Sequence, residues 1–216
     1  MKKFNIHIFF AFIIVLSSCA TKLPVEKGLF KETNLVELVK LDSTIHLDIR
    51  YATPNNFAKQ AVYKEARAFL QKDAAESLKR INASLKPLGY GLLVFDGYRP
   101  WDVTKLFYDI TSKENKKFVA DPKEGSRHNR GCAIDVSLYD LQTGKEIPMP
   151  GVYDEMTERS YVDYTGGTEE QKKTRNLLIE KMQAEGFTVY KYEWWHFDYK
   201  DWQLYRITNK AFSEIN

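Results

Sequence analysis

The chain has 216 residues, 44% of them hydrophobic and 28% charged, with a formal net charge of +3 at pH 7. The apolar fraction excludes a disordered chain, and 7 prolines with 11 glycines exclude a linker or a collagen-like sequence. Without Lys2 and Lys3, which lie in a segment expected to be removed, the charge falls to +1, which argues against a nucleic-acid binder working through a basic face.

Met1-Lys2-Lys3 opens a segment whose apolar run, Ile8 to Leu16, is too short for a membrane-spanning helix of about 20 residues. It has the length of a signal-peptide hydrophobic region. The following Leu16-Ser17-Ser18-Cys19 resembles the bacterial lipoprotein processing box. That resemblance implies a signal peptide over 1–18, lipidation of Cys19 and an exported protein anchored to a membrane of the cell envelope. An ordinary signal peptide followed by an incidental cysteine would also export the chain. Residues 19–32, interrupted by Pro24 and Gly28, read as a tether, which leaves 33–216 as a single domain. With Cys19 committed to the anchor, Cys132 has no partner for a disulfide, so a hydrophobic core must stabilise the body.

Partial alternation of apolar residues from Leu35 to Ile49 suggests one or two strands, and Pro54-Asn55-Asn56 marks a loop. Leu70, Ala74, Leu78, Ile81 and Leu85 form a helical stripe, which predicts a helix over 65–85 ended by Pro87 and Gly89. Leu92 to Phe95 reads as a buried strand, 101–110 as a helix and Ala133 to Leu138 as a strand, with a turn at Thr143-Gly144. A helix is expected over 169–184, with Leu177, Leu178 and Met182 inward and Gly186 closing it. The stretches 187–192 and 194–199 are β-branched and aromatic, as strands are. Helices and strands mix without a βαβ rhythm, so the expected class is α+β.

Outside the leader only His46, His128 and His196 remain, and His46 reads as structural. His128 lies in Ser126-Arg127-His128-Asn129-Arg130-Gly131-Cys132-Ala133-Ile134-Asp135, and His196 in Glu193-Trp194-Trp195-His196. Two histidines and an aspartate can hold zinc with one position open, as catalytic zinc requires, and a free carboxylate such as Glu193 could then accept the proton of a bound water. A regular strand would send Glu193 and His196 to opposite faces, so both reach one ion only across a bulge or at a strand end. Equally, His128 could be a hydrogen-bonded loop histidine and Trp194 to Phe197 plain core packing. A cysteine hydrolase built from Cys132, His128 and Asp135 would leave Glu193 and His196 without a role.

Taken together, Ser126-x-His128-x-x-Gly131-x-Ala133-x-Asp135 and Glu193-Trp194-Trp195-His196 resemble the D-alanyl-D-alanine dipeptidases of the VanX type, zinc DD-peptidases related in fold to the Hedgehog signalling domain. The likeness extends upstream to Tyr51-Ala52-Thr53-x-x-Asn56-Phe57 and to Asp96-Gly97-Tyr98-Arg99-Pro100, and so spans about Asp48 to Asp198. It implies a central, mainly antiparallel sheet flanked by helices. It also implies one zinc ion held by His128, Asp135 and His196, with Glu193 as the base and Arg99 steadying the tetrahedral intermediate. Ser126 falls at a position near the substrate. Asp154 falls where the family has an acid suited to the ammonium of a dipeptide, though a solvated loop carboxylate would look the same. The implied reaction is hydrolysis of D-Ala-D-Ala outside the cytoplasm, in wall-peptide turnover or salvage. The alternatives are a D,D- or L,D-carboxypeptidase or endopeptidase on muropeptides and, from another class, a non-catalytic peptidoglycan-binding lipoprotein.

Overall fold

A computed structural model describes residues 22–215; the leader and Cys19 lie outside them. Among the described residues no helix is long and apolar enough to cross a membrane.

The chain enters through β1 (Leu35–Glu37), a one-turn helix α1 (Leu38–Leu41) and β2 (His46–Leu47). β3 (Phe69–Gln71) runs straight into α2 (Lys72–Leu85), followed by β4 (Tyr90–Asp96) and α3 (Trp101–Ile110). β5 (Ala133–Asp140), α4 (Glu169–Ala184), β6 (Phe187–Tyr190) and β7 (Glu193–Tyr199) complete the order. The central sheet has the strand order β2-β4-β5-β7-β6, and β1 pairs with β3 in a separate antiparallel ribbon. Only β2 against β4 is parallel in the central sheet. The α+β class and the mainly antiparallel sheet therefore match the sequence reading.

The helix expected over 65–85 begins later, at Lys72, and Leu70 is a strand residue. The stripe misled because Leu70 and Ala74 keep a helical step across the junction while both are buried. α2 buries Ala74, Ala75, Leu78, Ile81 and Leu85 against β4, and the 3-10 turn that follows it, Lys86–Leu88, ends at Gly89, whose φ of +85° is a left-handed conformation that glycine adopts without steric cost. α4 starts on a capping box, Thr168 with Gln171, and packs on β6 through Leu178 and Met182, with Leu177 only half-buried. β4 and β5 are almost wholly buried because helices and loops cover both faces, and their adjacent ends open toward the cavity described below.

Residues 22–32, expected as a tether, carry no helix or strand, yet they lie against the body. Glu26 pairs with Arg130 at 2.6 Å and accepts the Ile207 N–H at 2.7 Å. The Lys31 N–H donates to the Leu204 carbonyl at 2.8 Å, and the Arg206 guanidinium sits over the Phe30 ring.

Candidate active site

β5 and β7 are in register with Asp135 opposite His196, so the pairing alone sets these side chains beside each other. His128 arrives from a 3-10 turn, His128–Arg130, which Gly131 at φ +67° bends into β5. A side chain at Gly131 would run into Leu35, so the bend needs glycine twice over. His128 Nε2, Asp135 Oδ1 and His196 Nδ1 converge, at 3.1 Å between the two nitrogens and 3.4 and 3.0 Å from each to the carboxylate oxygen.

The outer ring atoms settle which nitrogens face inward. His128 Nδ1–H donates to the Gly97 carbonyl at 2.7 Å, and His196 Nε2–H donates to Asp198 Oδ1 at 3.0 Å. Both inner nitrogens then present lone pairs beside a carboxylate oxygen. Asp135 is held well below the usual carboxylate range: burial pushes it up, but the two histidines outweigh that. Its other oxygen takes the Tyr153 hydroxyl at 3.2 Å. Three lone-pair donors facing one another are a poor hydrogen-bond set and a good cation set, so these residues fit a zinc ion of N₂O ligation.

Glu193 opens β7, and its place answers the strand-parity objection. The β6–β7 ladder steps from Val189 opposite Phe197 to Tyr190 opposite Glu193, a register break of the kind the sequence reading required. Glu193 Oε2 consequently lies 3.8 Å from His196 Nδ1 and lines the same cavity. Burial lifts its carboxyl to about 8, with His196 pulling the other way.

Arg99 follows β4 through Asp96-Gly97-Tyr98. It is buried, with Nε and Nη2 on Asp96 Oδ2 at 2.9 and 2.8 Å, and Nη2 lies 3.8 Å from Asp135. Asp96 is itself fixed by the Tyr63 hydroxyl and the Gly97 N–H. The guanidinium stacks over Tyr51 and Phe107, which keeps it in one orientation. Ser126 is buried at the cavity wall, where its hydroxyl accepts the His128 N–H at 3.2 Å and keeps its own proton to donate.

Asp154 is more than a solvated loop carboxylate. It sits at φ +63°, one oxygen accepts the Tyr51 hydroxyl at 2.8 Å, and the other is buried without a hydrogen-bond partner. Burial raises its carboxyl to about 7. A strained backbone holding a half-paired acid at a cavity wall is an arrangement that a cationic ligand group would complete. Cys132, by contrast, is fully buried, bonds only weakly to the Arg130 carbonyl, and burial pushes its thiol up to about 12, so it cannot serve as the nucleophile.

All of Arg99, Ser126, His128, Asp135, Asp154, Glu193 and His196 line one cavity of about 130 Å³. Sequence reasoning missed the residues that hold these in place: Asp96, Tyr153 and Asp198. Asp198 had one legible signal, its i+2 spacing from His196 on a strand, which puts both on one face.

A sheet whose neighbouring strands deliver two histidines and an aspartate to one point, beside a buried glutamate and arginine, defines a metallopeptidase. More narrowly, the chain belongs to the D-Ala-D-Ala dipeptidase family, whose profile matches residues 31–215. It is 31% identical to the D-alanyl-D-alanine dipeptidase of Escherichia coli (strain K12), over 84% of this chain and 92% of that one. To the enzyme of the same name from Enterococcus faecium it is 36% identical, over 74% of this chain and 90% of that one. A solved structure of the vancomycin-resistance D,D-dipeptidase VanXYg with a D-Ala-D-Ala phosphinate analog overlays with a TM-score of 0.42 at 18% identity, covering 78% of this chain and 67% of that one.

Proposed function

We propose that the protein is an exported, zinc-dependent dipeptidase that hydrolyses D-Ala-D-Ala to free D-alanine in the turnover or salvage of wall peptides. His128, Asp135 and His196 hold the ion. When bound, zinc supplies Lewis acidity toward the peptide carbonyl and a water whose pKa falls toward about 7. Glu193 takes a proton from the attacking water and hands it to the leaving amine as the C–N bond breaks. Arg99 sets guanidinium donors where negative charge grows on the carbonyl oxygen, already oriented by Asp96 and so at little cost in reorganisation. Tyr51 and Asp154 receive the substrate ammonium.

The observation that carries the dipeptide reading is the cavity itself. At about 130 Å³ it is well below the ~300–1,000 Å³ usual for ligand pockets, and it holds an ammonium acceptor at its wall. A longer peptide would have to leave that acid unpaired inside. The export reading rests on Leu16-Ser17-Ser18-Cys19. Outside the cytoplasm the substrate would be free dipeptide or wall fragments rather than the cytoplasmic precursor.

The test is D-alanine release from D-Ala-D-Ala, with zinc, with a chelator, and with Glu193→Gln. The expected result is release that the chelator abolishes and that the variant loses by about 10²- to 10⁴-fold. Cleavage of a longer wall peptide but not of the dipeptide would move the activity to a carboxypeptidase or endopeptidase. Metal binding with cleavage of neither would leave a binding module.

A further inference from the structure

The charged residues that line the cavity fall into three groups. On the side of edge strand β2, Tyr51 and Asp154 form the ammonium end. In the middle, at the ends of β4 and β5, lie Arg99, Asp135 and the two histidines. Also at the wall are Arg127 and the β7 residue Asp198, whose carboxylate holds the outer nitrogen of His196, with Trp202 behind Arg127. A dipeptide that fills such a cavity presents a carboxylate at the end opposite its ammonium, and that carboxylate needs a cation of its own.

Arg99 cannot be that cation, because Asp96 holds it and the reaction needs it at the scissile carbonyl. The other arginine at the cavity wall is Arg127, whose side chain is 46% exposed. Its guanidinium carbon sits over Trp202, 4.7 Å from the ring centre, and its Nε is 3.6 Å from Asp198, longer than a hydrogen bond. Neither Nη group has a hydrogen bond to any described residue. Trp202 thus supports the guanidinium while the fork's outer donors stay open. Next to it in sequence, the Ser126 hydroxyl has a proton to give at the same wall.

Resting on the dipeptidase reading above, we propose that Arg127 is the specificity residue for the free C-terminal carboxylate of the substrate, a planar fork held on Trp202 and assisted by the Ser126 hydroxyl. The scissile carbonyl then lies between two charge clamps of opposite sign, which sets the direction of the dipeptide across the sheet. Arg127 binds and orients, and takes no part in proton transfer.

The experiment crosses enzyme with substrate: wild type, Arg127→Ala and Arg127→Lys, each on D-Ala-D-Ala and on its C-terminal amide. For wild type, kcat/KM on the acid should exceed that on the amide by about 10- to 100-fold, the worth of a charge-assisted pair. In Arg127→Ala the preference should collapse toward unity through a raised KM on the acid, and Arg127→Lys should restore part of it. Zinc content and thermal melting of each variant check that His196, which Arg127 could reach through Asp198, is undisturbed. Equal losses on acid and amide would show that Arg127 acts through Asp198 and would overturn the proposal, as would an unchanged preference. If the wild type cleaves neither substrate, the dipeptidase reading itself falls and this one with it, an outcome distinct from an active enzyme with no dependence on Arg127.

Discussion

Asp154 shows how much a single backbone angle can decide. In the left-handed region an aspartate is under strain, and here that strain turns its carboxylate inward, with one oxygen on Tyr51 and the other with no partner. Burial disfavours the charged form and pushes its carboxyl up to about 7. Below that pH the group is neutral and cannot pair with an ammonium; above it the pair forms. KM for the dipeptide should therefore fall as pH rises through about 7. Asp154→Asn should give a KM that stays high and loses this dependence, with kcat changed much less. A variant that keeps the wild-type KM profile would remove Asp154 from substrate binding. The residues that the structure gathers at the candidate site were legible because their types are scarce: only three histidines follow His7, which leaves few ways to build a metal site. Tyr153 and Asp96 were not, since nothing in sequence shows which of many tyrosines and aspartates will meet Asp135 or Arg99 across the sheet.

At the level of elements, the site depends on ladders more than on individual contacts. The β5–β7 register sets Asp135 against His196, and the irregular step between β6 and β7 brings Glu193 round to them. Neither register can be read from periodicity, which gives the period of a strand but not its partner. The strands and helices over 90–110, 133–140 and 169–199 were legible for the opposite reason, since local pattern and burial agree there. The β1–β3 ribbon makes a stability prediction. Arg67, just before β3, grips Glu37 at the end of β1 with Nε and Nη2 at 2.9 and 2.8 Å. That hydrogen-bonded grip holds the Glu37 carboxyl below its ordinary 4.5, against a burial effect that pushes it up. A carboxyl depressed on folding stabilises the native state above its unfolded pKa, and the gain disappears as pH falls through the folded value. Glu37→Gln should cost about 1–2 kcal/mol in urea melts at pH 7, and wild type and variant should converge at acid pH below about 4. A gap that persists undiminished in acid would mean that packing, not the ion pair, is what Glu37 contributes.

On the scale of the whole molecule, the sequence separates a leader, a tether and a body, while the structure lays residues 22–32 on the body through Glu26, Phe30 and Lys31. Low pattern and a proline do not by themselves mean freedom: the half-buried Glu26–Arg130 pair docks the segment without any regular element. If Cys19 is lipidated, the wild-type protein should fractionate with membranes and Cys19→Ser should appear in the soluble fraction, with D-Ala-D-Ala hydrolysis per molecule unchanged. Wild-type protein found wholly in the soluble fraction would leave an ordinary signal peptide as the export device.

The Glu26–Arg130 clasp then acquires a geometric meaning. Arg130 is two residues from His128, and Glu26 is seven from Cys19, so lipidation of Cys19 would leave at most ~25 Å of extended chain between lipid and catalytic body. An enzyme anchored in this way would neither tumble freely nor explore the full depth of the surrounding compartment. It would sample a thin layer above the bilayer with its orientation partly fixed, and its turnover would respond to the supply of dipeptide at that surface rather than to the average concentration.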